Sequence, residues 1–235
     1  MSRVRSSTRE AATGPRVVAE NRHRWRLTIA GVALLLAGVA CLDWVAYQYV
    51  GTNLIAKYAF QSEADRLRAT WSEAQTTDPL GTQQPAVRPG DAIGLLRIPA
   101  LGASYEVPIR DGTKLTVLAK GIGHYSSTAQ PGQIGNFALA GYRVTHGQPF
   151  ARLLELDSGD EIIVETRDAV YTYVLDEPPR QLTVKDTDTW VIEPVPGRPQ
   201  RKPTQPLITL TTCPDLFDSS KRSVGFGHLV RTEPK

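Results

Sequence analysis

Residues 207–213 read Leu-Ile-Thr-Leu-Thr-Thr-Cys, an apolar and β-branched run that stops at a cysteine and is followed at once by Pro214. Such residues suit a pleated, half-buried surface and proline cannot continue the ladder, so Leu207 to Thr212 is predicted as a strand with Cys213 at its end. A polar stretch, Asp215 to Lys221, leads to a second segment of the same kind, Ser223 to Val230, with Arg222 at its start. A strand end presents its side chain at the mouth of a scaffold, where reactive groups are commonly held. An arginine at the start of the neighbouring strand would sit beside that sulfur, hold a thiolate by its charge, and donate to a developing oxyanion.

Similar segments recur upstream: Ile93 to Ile98, Tyr105 to Ile109, Phe137 to Ala140, Glu161 to Thr166, Ala169 to Leu175 and Thr189 to Ile192. Each is short, rich in β-branched or aromatic residues, and bounded by Gly, Pro, Asp or Asn. Helical periodicity is confined to Lys114 to Ala119 and Pro149 to Leu156. About eight strands with closely spaced turn signals predict a mostly β fold, a largely antiparallel barrel or sandwich with short helices. There is no internal repeat and no low-complexity tract.

Before the strands, residues 76–90 carry Pro79, Pro85, Pro89 and two glycines among polar residues and read as a linker. Asn53 to Glu73 has helical spacing and is expected to form a stalk, so 50–90 is assigned as helical stalk and linker. The domain boundary falls near Asp91, leaving 145 residues, 91–235, for one core.

Leu27 to Leu42 is an uncharged apolar run of about 16 residues, extended past Asp43 by Trp44, Tyr47 and Tyr49. With the aromatics at the outer interface, 27–49 is just long enough to span a bilayer as one N-terminal transmembrane helix. The first 26 residues carry seven arginines against two glutamates, a net +5, so this arm is expected to stay in the cytoplasm and the rest to lie outside the cell. Two alternatives stay open: a cleaved signal peptide after Gly38-Val39-Ala40, and lipidation of Cys41.

Composition excludes other classes. The chain has 235 residues, 41% hydrophobic and 22% charged, with two cysteines, which is neither a disordered polymer nor a disulfide scaffold. Net charge is +3 overall, so the body beyond the arm sums to −2 and carries no footprint for nucleic acid. Cys41 lies in or beside the membrane, which leaves Cys213 as the lone thiol of the exported part, either a reactive group or a small buried hydrophobe. The four histidines are dispersed, so neither a metal site nor a cofactor is expected.

Thr209-Leu210-Thr211-Thr212-Cys213, with Arg222 on the next strand, resembles the active-site signature of the sortases, membrane-anchored cysteine transpeptidases of Gram-positive bacteria. Ile98-Pro99-Ala100-Leu101-Gly102, Gly121-Ile122-Gly123-His124-Tyr125, Pro131 to Asn136, Ala140 to Phe150 and Leu156 to Asp160 are similar too. The resemblance covers Asp91 to the C-terminus and is closest to the class E type. It implies an eight-stranded β-barrel and attack by a thiolate on the carbonyl of a sorting-signal peptide. An amine of a cell-wall precursor or a pilin then resolves the thioacyl enzyme. The partners it implies are sorting-signal-bearing surface proteins or pilins, the amine acceptor and the membrane.

One position departs from the family. Its A-G-H-R motif reads Ala140-Gly141-Tyr142-Arg143 here. The catalytic Cys and Arg carry over onto Cys213 and Arg222, whereas the catalytic His does not, and Tyr142 stands at its place. A phenol with an ordinary pKa near 10 is a poor base at neutral pH, though it can donate a hydrogen bond. His146 is the candidate substitute: a continuous strand would put it about 13 Å from Tyr142, but Gly147 and Pro149 are turn residues that can bring it back. His124 is expected to brace its loop, and His228 and His23 are not credible partners for Cys213. Three readings follow: a working or impaired transpeptidase, an inactive sortase-like binder of sorting signals or an assembly partner, and an unrelated thiol hydrolase or structural β-domain.

Overall fold

Between Arg16 and Ala46 the chain forms one helix, α1, free of proline and, after Arg26, uncharged as far as Asp43. In the computed structural model, described for residues 16–47, 52–77, 87–214 and 220–235, α1 belongs to a separate unit from the remainder, the units dividing at Tyr47 and Gln48. Trp25–Val45 of α1 is 21 residues long and apolar enough to cross a bilayer. Leu34, Leu35 and Leu36 stand exposed along it. The start of the basic arm, Tyr49, most of the Pro/Gly linker and most of the loop after Pro214 lie outside the described residues.

The second unit begins with α2, Thr52–Thr77. Its sequence is free of Gly and Pro and rich in Ala, Glu, Gln and Arg, which favour a helix. The helix is not a free stalk. Ala56, Phe60 and Ala64, four residues apart and so on one face, are all buried, and the first two belong to the main core. Arg68 binds Glu106 and, at 2.8 Å, Glu165, while Arg110 meets Glu63 at 3.0 Å. Lys235 lies 4.6 Å above the Trp71 ring and also reaches Glu165, so the C-terminus closes over the same helix. A stripe of two alanines and one phenylalanine is narrow in sequence, yet it packs α2 against the strands that follow Asp91.

Among the described residues nine strands follow: β1 Ala92–Arg97, β2 Glu106–Asp111, β3 Ile122–His124, β4 Gly135–Ala140, β5 Glu161–Glu165, β6 Ala169–Glu177, β7 Thr183–Lys185, β8 Pro206–Thr212 and β9 Lys221–Pro234. Their order is β6-β5-β1-β2-β3-β4-β8-β9-β7, and a further β6–β9 pairing closes eight of them into a barrel, with β7 added beside β9. Only β2–β3 and β4–β8 are parallel pairs. The interior holds Leu96, Ile109, Phe137, Leu139, Tyr173 and Leu210, none more than 1% exposed.

Thr189–Ile192, expected as a strand, is a 3₁₀ turn. Its segment lies across the outer face of β4 and β8, where the Val191 carbonyl accepts from Asn136 Nδ2 at 3.2 Å and from Thr209 Oγ1 at 3.2 Å. Val191 then joins Val184 and Val224 in a second small core. The helix expected over Pro149 to Leu156 reduces to a 3₁₀ turn at Leu153–Glu155, while Lys114 to Ala119 holds a one-turn helix, α3, Leu115–Leu118. β3 and β7, three residues each, were too short to stand out.

Candidate active site

The parallel register of β4 and β8 sets the site. Ala140 faces Thr211, so the two chains leave the barrel at one end, Gly141-Tyr142 from one strand and Thr212-Cys213 from the next. The Gly141 N–H donates to the Thr211 carbonyl at 3.2 Å, and Thr212 Oγ1 donates to the Gly141 carbonyl at 2.9 Å, which ties these exits together. β9 flanks β8 with Ser223 opposite Thr212. Arg222, one residue earlier, points its Nη1 at Cys213 Sγ, 3.5 Å away. The same nitrogen donates to the Lys221 carbonyl at 2.7 Å, so the guanidinium is held against its own backbone. Cys213 is partly exposed and makes no disulfide.

Tyr142 stands beside this pair. Burial, and after it the Cys213 sulfur, push its phenol above the ordinary value, so the hydroxyl stays protonated and serves as a donor. Beyond Tyr142 the chain turns back, with the Phe150 N–H donating to the Tyr142 carbonyl at 2.9 Å and the Phe150 ring wholly buried. Tyr105 supports the far end of this loop by donating its hydroxyl to the Pro149 carbonyl at 2.6 Å. His146 therefore lies against Tyr142, their rings stacked with centroids 4.8 Å apart and planes 23° from parallel. Its Nδ1 is 2.9 Å from Thr145 Oγ1.

The other histidines are elsewhere. His124 is fully buried in β3, with Nδ1 3.4 Å from Asp111 Oδ1 and Nε2 3.1 Å from both the Ala129 carbonyl and Thr128 Oγ1. It braces the loop between β3 and β4, and burial lowers its pKa against the pull of those partners. His228 pairs with Asp176 opposite Leu207, at the end of β8 away from Cys213.

Arg143 escaped the sequence reading. Its guanidinium donates to the carbonyl of Pro214, the residue after the cysteine, and so links the loop after β4 to the one after β8. Its signals in sequence are its place at the end of the Ala140 to Arg143 motif and a cation three residues past a strand end. Two grooves of about 460 Å³ each lie on the second unit, and neither has Cys213, Arg222 or Tyr142 in its wall.

A closed barrel with a cysteine at one strand end and an arginine on the adjacent strand matches what the family comparison finds. The Sortase domain model matches residues 96–230, and the chain belongs to the sortase family, whose members are transpeptidases. Among curated relatives, sortase SrtE1 of Streptomyces coelicolor is 34% identical over 213 residues, covering 87% of this chain but only 57% of that protein's length. Sortase SrtE2 of the same organism is 29% identical, covering 88% of this chain and 83% of the relative. Among solved structures, sortase E from Streptomyces avermitilis is 39% identical with a TM-score of 0.57, covering 63% of this chain and 93% of its own. Sortase E1 from Streptomyces coelicolor, solved with a tripeptide in its active site, is 34% identical with a TM-score of 0.54, covering 63% and 94%.

Proposed function

We propose that the protein is a membrane-anchored cysteine transpeptidase in which Cys213 is the nucleophile. Its thiolate attacks the carbonyl of a sorting-signal peptide, Arg222 donates to the oxyanion, and collapse of the tetrahedral adduct forms a thioester as the peptide amine leaves with a proton. An amine of a cell-wall precursor or pilin then attacks the thioester and frees the thiol. α1 is the anchor, its arginines on the cytoplasmic side and the barrel outside. The observation that carries this reading is the 3.5 Å contact from Arg222 Nη1 to Cys213 Sγ at the end of β8.

Proton delivery is the unusual step. Tyr142, at the place where the resemblance sets a histidine, has a phenol that burial keeps protonated. It can donate to the departing amine but yields its proton reluctantly, and the His146 ring is stacked on it as a second hydrogen-bonding group. A transfer lacking a well-matched general acid runs about 10²- to 10⁴-fold slower. The same raised phenol favours a second reading, a sortase-like protein that binds sorting signals without turning them over.

Intact-mass detection of a thioacyl adduct after incubation with a library of sorting-signal peptides separates the two. An adduct on the native chain that vanishes in Cys213→Ala supports the transpeptidase. Capture seen solely after Tyr142→His supports the binder.

A further inference from the structure

The loop that carries His146 adopts a conformation its own residues disfavour. His146 and Gln148 have φ of 55° and 52°, and Gly147 between them has φ of 82°, so three successive residues sit in the left-handed region. Side-chain-bearing residues rarely adopt this region, and then singly. Something outside the loop must hold it.

That partner comes from more than 90 residues earlier in the chain. Asn53, buried in the first turn of α2, accepts from the Gly147 N–H through Oδ1 at 2.9 Å and donates through Nδ2 to the Val144 carbonyl at 3.1 Å. One carboxamide thus satisfies a donor and an acceptor on either side of His146. Gly147 permits the approach, since a β-carbon there would lie 2.6 Å from Phe60 Cε2 and 3.0 Å from Ala56 Cβ. From inside the loop, Gln148 Nε2 donates to the same Val144 carbonyl at 2.7 Å.

We infer that Asn53 is a positioning residue of the transfer site, fixing the left-handed turn at 146–148 so that the His146 ring lies on Tyr142. The α2 helix is then part of the machinery that sets the proton donor, in addition to covering the barrel. The inference rests on the reading of Tyr142 and His146 as members of the site. Two lost hydrogen bonds, each with a typical net contribution, would cut the population of the stacked conformer by roughly tenfold or more.

The test uses the full chain in detergent micelles with ¹³C-labelled histidine rings, the His146 resonance being assigned with His146→Gln. In the native protein the Tyr142 ring current shifts that resonance upfield. Asn53→Leu is expected to abolish the shift and to lower kcat for thioacyl transfer about tenfold, with KM little changed. Asn53→Asp, which keeps the acceptor for the Gly147 N–H, is expected to retain part of both. Arg68→Ala, which loosens α2 from Glu106 and Glu165 at a distance from the loop, is expected to lower the melting temperature while the shift and kcat persist. The inference is overturned if Asn53→Leu leaves the His146 shift in place and loses activity only as far as Arg68→Ala does at matched stability. Should no variant form an adduct, the transpeptidase reading fails, and the resonance still decides what Asn53 does.

Discussion

Gly141 lies under the ring of Phe150 so closely that a β-carbon on it would be 2.5 Å from Phe150 Cδ2. Phe150 is wholly buried and cannot swing away. The glycine is therefore what lets the chain pass from β4 to Tyr142 alongside the returning loop. Gly141→Ala is expected to cost about 1–3 kcal/mol through overpacking and to abolish thioacylation of Cys213. Calorimetry and intact mass on the same sample check both, and Phe150→Leu in the same chain should restore part of each.

At the reacting centre, Arg222→Ala is expected to lower thioacyl formation about 10²- to 10³-fold, the loss typical of one oxyanion donor. Arg222→Lys should recover little, because a lysine ammonium lacks the planar fork that spans sulfur and oxyanion. Single-turnover kinetics followed by quenched mass analysis is the measurement.

The role of Tyr142 divides two substitutions. Tyr142→Phe removes the donor and should slow acylation a further tenfold or more, whereas Tyr142→His should raise it by about 10²-fold or more. Equal rates for the native chain and Tyr142→Phe would take the hydroxyl out of the reaction.

Phe60, 4% exposed, fastens α2 to the core. Phe60→Ala is expected to cost about 3 kcal/mol, in the range for emptying a buried aromatic site. A chain starting at Asp91 should melt well below the full protein, since it loses Ala56 and Phe60 from the core and the Arg68 pairs with Glu106 and Glu165. Equal melting temperatures would show that residues from Asp91 onward fold without α2.

His124 predicts a pH effect on stability. Its folded pKa is depressed by burial, so the unfolded chain binds the proton more readily below about pH 6.5. The stability it lends is complete above that value and declines as pH falls toward the folded pKa. Melting temperature is thus expected to drop between pH 7 and 5.5, and His124→Gln should flatten that slope while lowering the curve as a whole.

Much of the barrel is legible in sequence because its strands alternate. In β8, Ile208 and Leu210 belong to the main core while Thr209 between them turns to the Val191 carbonyl, a period of two that β-branched residues make visible. The same chemistry is misleading at Thr189–Ile192, where Trp, Val and Ile look strand-like but form a 3₁₀ turn whose Val191 carbonyl is captured by Asn136 and Thr209. Helix α2 was recognised as a helix, yet its docking was not, since Ala56, Phe60 and Ala64 make a thin stripe. Cys213 and Arg222 could be paired from sequence because they bound one loop between neighbouring strands. Arg143 with Pro214 and Asn53 with Gly147 could not, since they depend on contacts spanning 71 and 94 residues that no local pattern encodes.

The β6–β9 seam leaves β7, Thr183–Lys185, as the strand with a single neighbour among the described residues. An extended polypeptide that sought to join this protein as one more strand would find three residues of open margin, two of them with exposed side chains and one a lysine. Unfolded chains are thereby offered little template along this edge. The transpeptidase proposed above would then grip an extended peptide by side chains and loops at the end of the barrel, so that selection would fall on the peptide's side-chain sequence more than on its backbone.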